Sequence, residues 1–146
     1  NGLINNESML LDLNFFKELS KEYNLSVFTG RYRHEAFYAL ERFGIKDLFY
    51  PIITTDDIPA GREKPDSCGL FLVKNLSLAD DYFYFGDTVD DMICAKNAGY
   101  YAVGSLPPQD KSDYLKQKMI ENGANQVINS INDLKMILEL KDEKMS

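Results

Sequence analysis

Three carboxylates crowd one short run, Asp87-Thr88-Val89-Asp90-Asp91, directly after the apolar stretch Tyr82-Phe83-Tyr84-Phe85-Gly86. Carboxylates this close repel one another and cost stability unless a cation neutralises them. Oxygen ligands of this kind suit Mg²⁺. Asp87 is the leading metal-ligand candidate. Asp91 either joins it or holds a lysine, and Asp90 is a metal neighbour or a solvated helix-start carboxylate. Two further polar clusters stand at similar places. Val27-Phe28-Thr29-Gly30-Arg31 closes an apolar run with a hydroxyl, a glycine whose backbone a ligand can approach, and a guanidinium. Glu63-Lys64-Pro65-Asp66 sets a lysine just before a helix start. Together these supply a hydroxyl and an amide for phosphate oxygens, a lysine for their charge, and carboxylates for a metal.

The surrounding sequence says how these groups are carried. Leu11, Phe15, Leu19 and Tyr23 recur every four residues and mark one helix face. Leu25 to Phe28 reads as a buried strand. Ala36, Phe37, Leu40 and Phe43 form a second helical face ended by Gly44, and Ile52-Ile53-Thr54 a second strand. Asp66 could cap a helix running towards Leu76. Tyr82 to Phe85 is a third strand, followed by a helix ending near Ala98-Gly99. Tyr101 to Gly104 is a fourth, Ser112 to Asn122 is helical, and Gln126 to Ile128 adds an edge strand. Ser130 and Asp133 form a capping box for a last helix through Ile137 and Leu138. Alternating strands and helices imply an α/β fold, a parallel sheet with helices on both faces. Ligands bind such sheets beyond the carboxyl ends of the strands, where all three clusters lie.

Ordinary readings stand beside the chemical ones. Thr29 and Thr88 could cap helices. Arg31 and Arg33 could bind a substrate anion, although exposed arginines are common. His34, between Arg33 and Glu35, reads as a surface residue, and Asp56-Asp57 as a loop near the entrance. The aromatic residues of the third strand read as core.

Composition narrows the classes. The 146 residues carry a net charge of −7 and are 45% hydrophobic, with no Trp. That suits one folded domain, residues 1–140, with a charged tail at 141–146. An acidic chain disfavours general binding to nucleic acid or to anionic membranes. No apolar run reaches the roughly 18–20 residues of a membrane span. Cys68 and Cys94 lack metal spacing and read as reduced thiols of a cytoplasmic protein.

In order and context the clusters resemble the haloacid-dehalogenase-like superfamily. Thr29 matches the second motif, an apolar strand ending in Thr or Ser. Lys64 in Lys64-Pro65-Asp66 matches the third, and Gly86-Asp87 through Asp91 the fourth, Gly-Asp-x-x-x-Asp. Phe43-Gly44-Ile45 and Ala95-Lys96-Asn97-Ala98-Gly99 fall where the family places them. The likeness runs from about Gly2 to Leu138 and points to a capped subfamily resembling phosphoglycolate-phosphatase-like enzymes.

The resemblance implies a Rossmann-like core and a Mg²⁺-dependent phosphohydrolase acting through an aspartyl-phosphate. Thr29, Gly30, Lys64, Asp87 and Asp91 would be its site residues, Arg31 would assist substrate binding, and a small phosphorylated molecule would be the substrate. The family's first motif, Asp-x-Asp on the central strand, has no counterpart here. Met9-Leu10-Leu11-Asp12-Leu13-Asn14 lacks the second Asp, and Gly2 to Glu7 resembles the return from the cap. The chain is therefore expected to be the part after the cap, without the nucleophile strand. A separate chain bearing the first motif, or self-association, would fill that place. A noncatalytic module that binds a phosphate ligand is the alternative.

Overall fold

The structure is a computed structural model that describes residues 13–129 and residue 133. The readings made for Gly2 to Asp12, for the helix from Ser130 through Leu138 and for the charged tail lie outside the described residues, Asp133 excepted.

Between residues 13 and 129, five α-helices alternate with five strands. Helix α1 spans Leu13–Glu22, strand β1 Leu25–Phe28, helix α2 Arg33–Arg42 and strand β2 Phe49–Ile53. Helix α3 spans Cys68–Leu76, strand β3 Phe83–Gly86, helix α4 Val89–Ala98, strand β4 Tyr101–Ser105, helix α5 Asp113–Glu121 and strand β5 Gln126–Ile128. Among the described residues every strand pair is parallel. This is the α/β arrangement expected from the alternation of short apolar runs with helical periods.

Among the described residues the parallel strands form two ladders rather than one. β1 pairs with β2, and β3, β4 and β5 follow in that order in a second sheet. No ladder joins β1 to β3 among the described residues. Side chains bridge the two sheets instead. Phe28 and Ile53 of the first share a buried cluster with Leu70 and Val73 of α3, Met92 of α4 and Ala102 of β4. On the opposite face α1 serves both sheets. Its Phe16 packs with Val27, Leu40 and Ile45, while Phe15, Leu19 and Tyr23 pack against Val103 and Ile128.

The helix ends follow local chemistry. Thr88 caps α4, its hydroxyl accepting the Asp91 N–H at 3.1 Å, and Gly99 closes that helix with φ +81, which a Cβ would disfavour. Ser112 caps α5 by accepting from the Leu115 N–H at 3.1 Å. Helix α3 begins at Cys68 with Ser67 as its N-cap, while Asp66 accepts the Cys68 N–H at 2.8 Å. Strand β2 is longer than its sequence suggests and runs through Pro51. Proline is tolerated there because β2 is an edge strand, paired among the described residues with β1 alone. Among the described residues no helix is long and apolar enough to cross a membrane.

Candidate active site

Strands β1 and β3 end on the same side of the molecule, and the loops there bring the three polar clusters together. The centre is Asp91, in the first turn of α4 and only 2% exposed. Its Oδ1 receives Lys64 Nζ at 2.7 Å and the Tyr84 hydroxyl at 3.1 Å. Its Oδ2 accepts the N–H groups of Asp87 at 3.1 Å and Thr88 at 3.2 Å. Four donors thus converge on one carboxylate. Burial alone would push its pKa up, but the Lys64 ammonium and these hydrogen bonds outweigh it and hold the pKa below the ordinary value.

Lys64 is held as much by rings as by charge. Its ammonium lies 4.7 Å from the Phe28 ring centroid and 5.6 Å from that of Tyr84, close enough for cation–π attraction. Phe28 immediately precedes Thr29, so the lysine stands beside the end of β1. Thr29 is fully buried. Its N–H donates to the Ile53 carbonyl at 3.0 Å, and its hydroxyl accepts the Arg31 N–H at 3.2 Å. That hydroxyl still has a proton to donate. Gly30 faces open space, with nothing within 4 Å of the place a Cβ would take.

Asp87 differs from its neighbour. Partial burial and the negative Asp91 beside it raise its pKa above the ordinary carboxylate value. A carboxylate in that condition gains from an added cation. The expected set of three metal carboxylates is not gathered at one point. Asp90 is exposed, both Asp91 oxygens are engaged, and no three His, Cys, Asp or Glu side chains among the described residues could hold a metal together. Asp87 therefore fits a Mg²⁺ site as one ligand of several.

The remaining candidates separate. Arg31 pairs loosely with Glu35 at 3.8 Å, and its buried Nε has no hydrogen-bond partner among the described residues. Among the described residues no bond joins its side chain to the Lys64–Asp91 pair. Arg33 is committed to a brace, its guanidinium on Asp57 Oδ1 at 2.8 Å and its N–H on Asp56 Oδ1 at 2.9 Å. Asp57 Oδ2 in turn accepts the N–H and hydroxyl of buried Thr54. Asp56 and Asp57, read as entrance loop, tie the end of β2 to the start of α2. His34 is exposed and stacks on Tyr32. Cys94 is no nucleophile: its thiol donates to the Asp66 carbonyl at 3.2 Å, and burial pushes its pKa up to about 12. Sequence reading missed Tyr84, placed with the core aromatics. The available signal was a tyrosine where phenylalanine would fill the same volume, because a buried hydroxyl needs a partner.

Comparison with known proteins gives a consistent family. Residues 13–105 match the model of the haloacid dehalogenase-like hydrolases. The phosphonoacetaldehyde hydrolase of Bacillus cereus strain G9842 is 30% identical over 112 residues, covering 60% of this chain and 41% of that protein. An imidazoleglycerol-phosphate dehydratase of Phytophthora nicotianae is 35% identical over 111 residues, 74% of this chain and 24% of its own. The chain thus spans less than half the length of these curated relatives. Among solved structures, a Thermotoga maritima protein provisionally named a β-phosphoglucomutase superposes with TM-score 0.71 at 23% identity, over 92% of this chain and 59% of that one. A provisionally named haloacid-dehalogenase hydrolase of Bacillus subtilis, solved bound to magnesium, gives 0.70 at 17% identity, over 87% and 53%. At these identities the structural likeness establishes the fold.

Proposed function

We propose that this chain, which belongs to the haloacid dehalogenase-like hydrolase family, is the phosphate-gripping part of a phosphomonoester hydrolase. The observation that carries the reading is the Lys64–Asp91–Asp87 cluster beside the end of β1. A half-buried ammonium, a fully buried threonine hydroxyl and a carboxylate of raised pKa meet where such sheets bind ligands. Lys64 offers its charge to the phosphate oxygens. The Thr29 hydroxyl and the Gly30 amide donate to the oxygens that gain charge as phosphorus is attacked. Asp91 stays ionised and keeps Lys64 in place. Bound Mg²⁺ would neutralise phosphate charge, with Asp87 among its ligands.

In this reading the attacking group is an aspartate of a segment outside residues 13–129. Its carboxylate forms a bond to phosphorus, the ester P–O bond breaks, and the departing oxygen takes a proton from a second carboxylic acid. Water then cleaves the acyl phosphate and releases phosphate. Two facts support an outside contributor: the sequence holds no Asp-x-Asp, and no ladder joins β1 to β3 among the described residues. The missing Asp-x-Asp also favours a second reading, a noncatalytic module that keeps the phosphate grip.

The deciding experiment compares this chain alone with the chain co-expressed with a polypeptide carrying a first motif and cap. A panel of small phosphate monoesters is assayed with Mg²⁺, with chelator as control. The chain alone is expected to give no turnover. The complemented protein is expected to turn over substrate in a Mg²⁺-dependent way that Lys64→Met abolishes. Turnover by the chain alone would place the nucleophile within these residues. Phosphate binding without turnover in the complemented protein would favour the noncatalytic module.

Metal binding gives a separate expectation. With no assembled set of carboxylates among the described residues, Mg²⁺ should bind the chain alone only weakly, because the ion keeps its waters unless several protein oxygens converge. Without metal, Asp87→Asn should raise the midpoint of thermal unfolding, since it removes a charge that burial and Asp91 both oppose. Calorimetric titration and melting measure the two effects. Micromolar Mg²⁺ affinity that vanishes in Asp87→Asn would refute the shared site.

A further inference from the structure

We infer that Tyr84 is a positioning residue whose hydroxyl, acting through Asp91, fixes the Lys64 ammonium for the anion it meets. The inference rests on the reading of Lys64 as the phosphate-gripping lysine. Strand β3 alternates Phe83, Tyr84 and Phe85, and the two phenylalanines pack towards α1 with Val103 and Ile128. Tyr84 packs on the other face, with the cluster that holds Phe28 and Met92. Phenylalanine would supply the same ring there. The hydroxyl is the difference, and it donates to Asp91 Oδ1 at 3.1 Å, the oxygen that also receives Lys64 at 2.7 Å. Burial and the Asp91 charge keep the phenol protonated by raising its pKa well above the usual value, so it remains a donor.

A lysine side chain is a flexible stem ending in a compact charge. Its aim is set by what holds that charge. Here the holder is one carboxylate oxygen flanked by two rings. Oδ2 is fixed by the amides of Asp87 and Thr88. The lysine and the tyrosine hydroxyl are what fix Oδ1. Without the hydroxyl, the carboxylate can turn about its last bond and the ammonium turns with it. The Tyr84 ring, 5.6 Å from the ammonium, would be unchanged by loss of the hydroxyl alone.

The test is Tyr84→Phe in the full chain, with Tyr82→Phe as comparison. Tyr82 also loses a hydroxyl bonded at both ends, to the Ser77 carbonyl at 2.8 Å and the Ala79 N–H at 3.0 Å, away from Lys64. Two quantities are read: the acetylation rate of Lys64 by mass spectrometry, and the dissociation constant for inorganic phosphate by NMR shift titration. Tyr84→Phe is expected to speed Lys64 acetylation and weaken phosphate binding, each about three- to tenfold, the effect of one hydrogen bond. Tyr82→Phe should lower stability comparably and leave both readings unchanged. If Tyr84→Phe does not fold, 3-fluorotyrosine at position 84, a stronger donor on the same ring, is expected to slow Lys64 acetylation. Unchanged acetylation in the folded variant, or in the fluorinated protein, overturns the inference. Failure of the underlying reading looks different: wild type and Lys64→Met would then bind phosphate equally poorly, while acetylation still decides the role of Tyr84.

Discussion

Asp91→Ala is expected to destabilise the protein by about 3–5 kcal/mol, the usual cost of removing one partner from a buried ion pair. The substitution strands more than one group. Lys64, whose side chain is 16% exposed, loses its counter-charge. The Tyr84 hydroxyl and the N–H groups of Asp87 and Thr88 lose their acceptor. Against a total stability of roughly 5–15 kcal/mol, a loss of this size leaves the fold marginal. Urea unfolding at neutral pH measures it. The pH dependence has a definite sign. The folded pKa of Asp91 is depressed, so its contribution is fully present above the unfolded carboxylate pKa and fades as pH falls through the folded value. The gap between wild type and Asp91→Ala should therefore hold at neutral pH and narrow below roughly pH 4. A neutral-pH loss under 1 kcal/mol would show that the four-donor arrangement is not what holds this corner together.

Gly86→Ala should be nearly as damaging, for a steric reason. A Cβ at Gly86 would stand 2.4 Å from Asp91 Cβ, 2.6 Å from its Cγ and 2.7 Å from Oδ2. Asp91 cannot retreat without breaking the bonds just described. Overpacking of a filled site costs about 1–3 kcal/mol and occasionally more, and here the relief also displaces Lys64. The expected result is a loss of about 3 kcal/mol in urea unfolding together with loss of phosphate binding. Gly30→Ala is the contrast, since that site opens on empty space, and it should unfold like wild type. Equal stability of the two variants would mean that β3 and α4 can part at no cost.

How much of this was legible depends on the scale of the interaction. Strand β1 could be read residue for residue, because Leu25 to Phe28 is a short apolar run with no competing period. Thr88 announced its helix because a cap acts within three residues. The two ends of β2 could not be read, since Pro51 argues against a strand until the edge position is known. That the three clusters gather in one place was legible because the topology rule needs only chain order. Their internal division of labour was not. Three carboxylates in five residues look alike in sequence. Only the fold shows that Asp91 is buried and fully bonded, Asp90 exposed, and Asp87 left in between with a raised pKa. Long-range pairs such as Lys64 with Asp91, Arg33 with Asp57 and Tyr84 with Asp91 depend on loop paths that no local pattern encodes. The split of the described strands into two ladders was foreshadowed only by the absence of an Asp-x-Asp run from the sequence.

That split has a consequence for cooperativity. Two backbone ladders with no hydrogen-bonded ladder between them among the described residues could open independently, as separate foldons, if side chains did not couple them. They are coupled on both faces. Phe28 and Ile53 share a cluster with Met92 and Ala102, and α1 divides its aromatic residues between the two sheets. One closeness is especially tight: a Cβ on Gly69 of α3 would lie 2.2 Å from the Phe28 ring, so the helix sits directly on that side chain. The slowest-exchanging amides of β1 and of β4 should then share one opening free energy, with side-chain packing performing the unifying role that a continuous hydrogen-bonded sheet performs elsewhere.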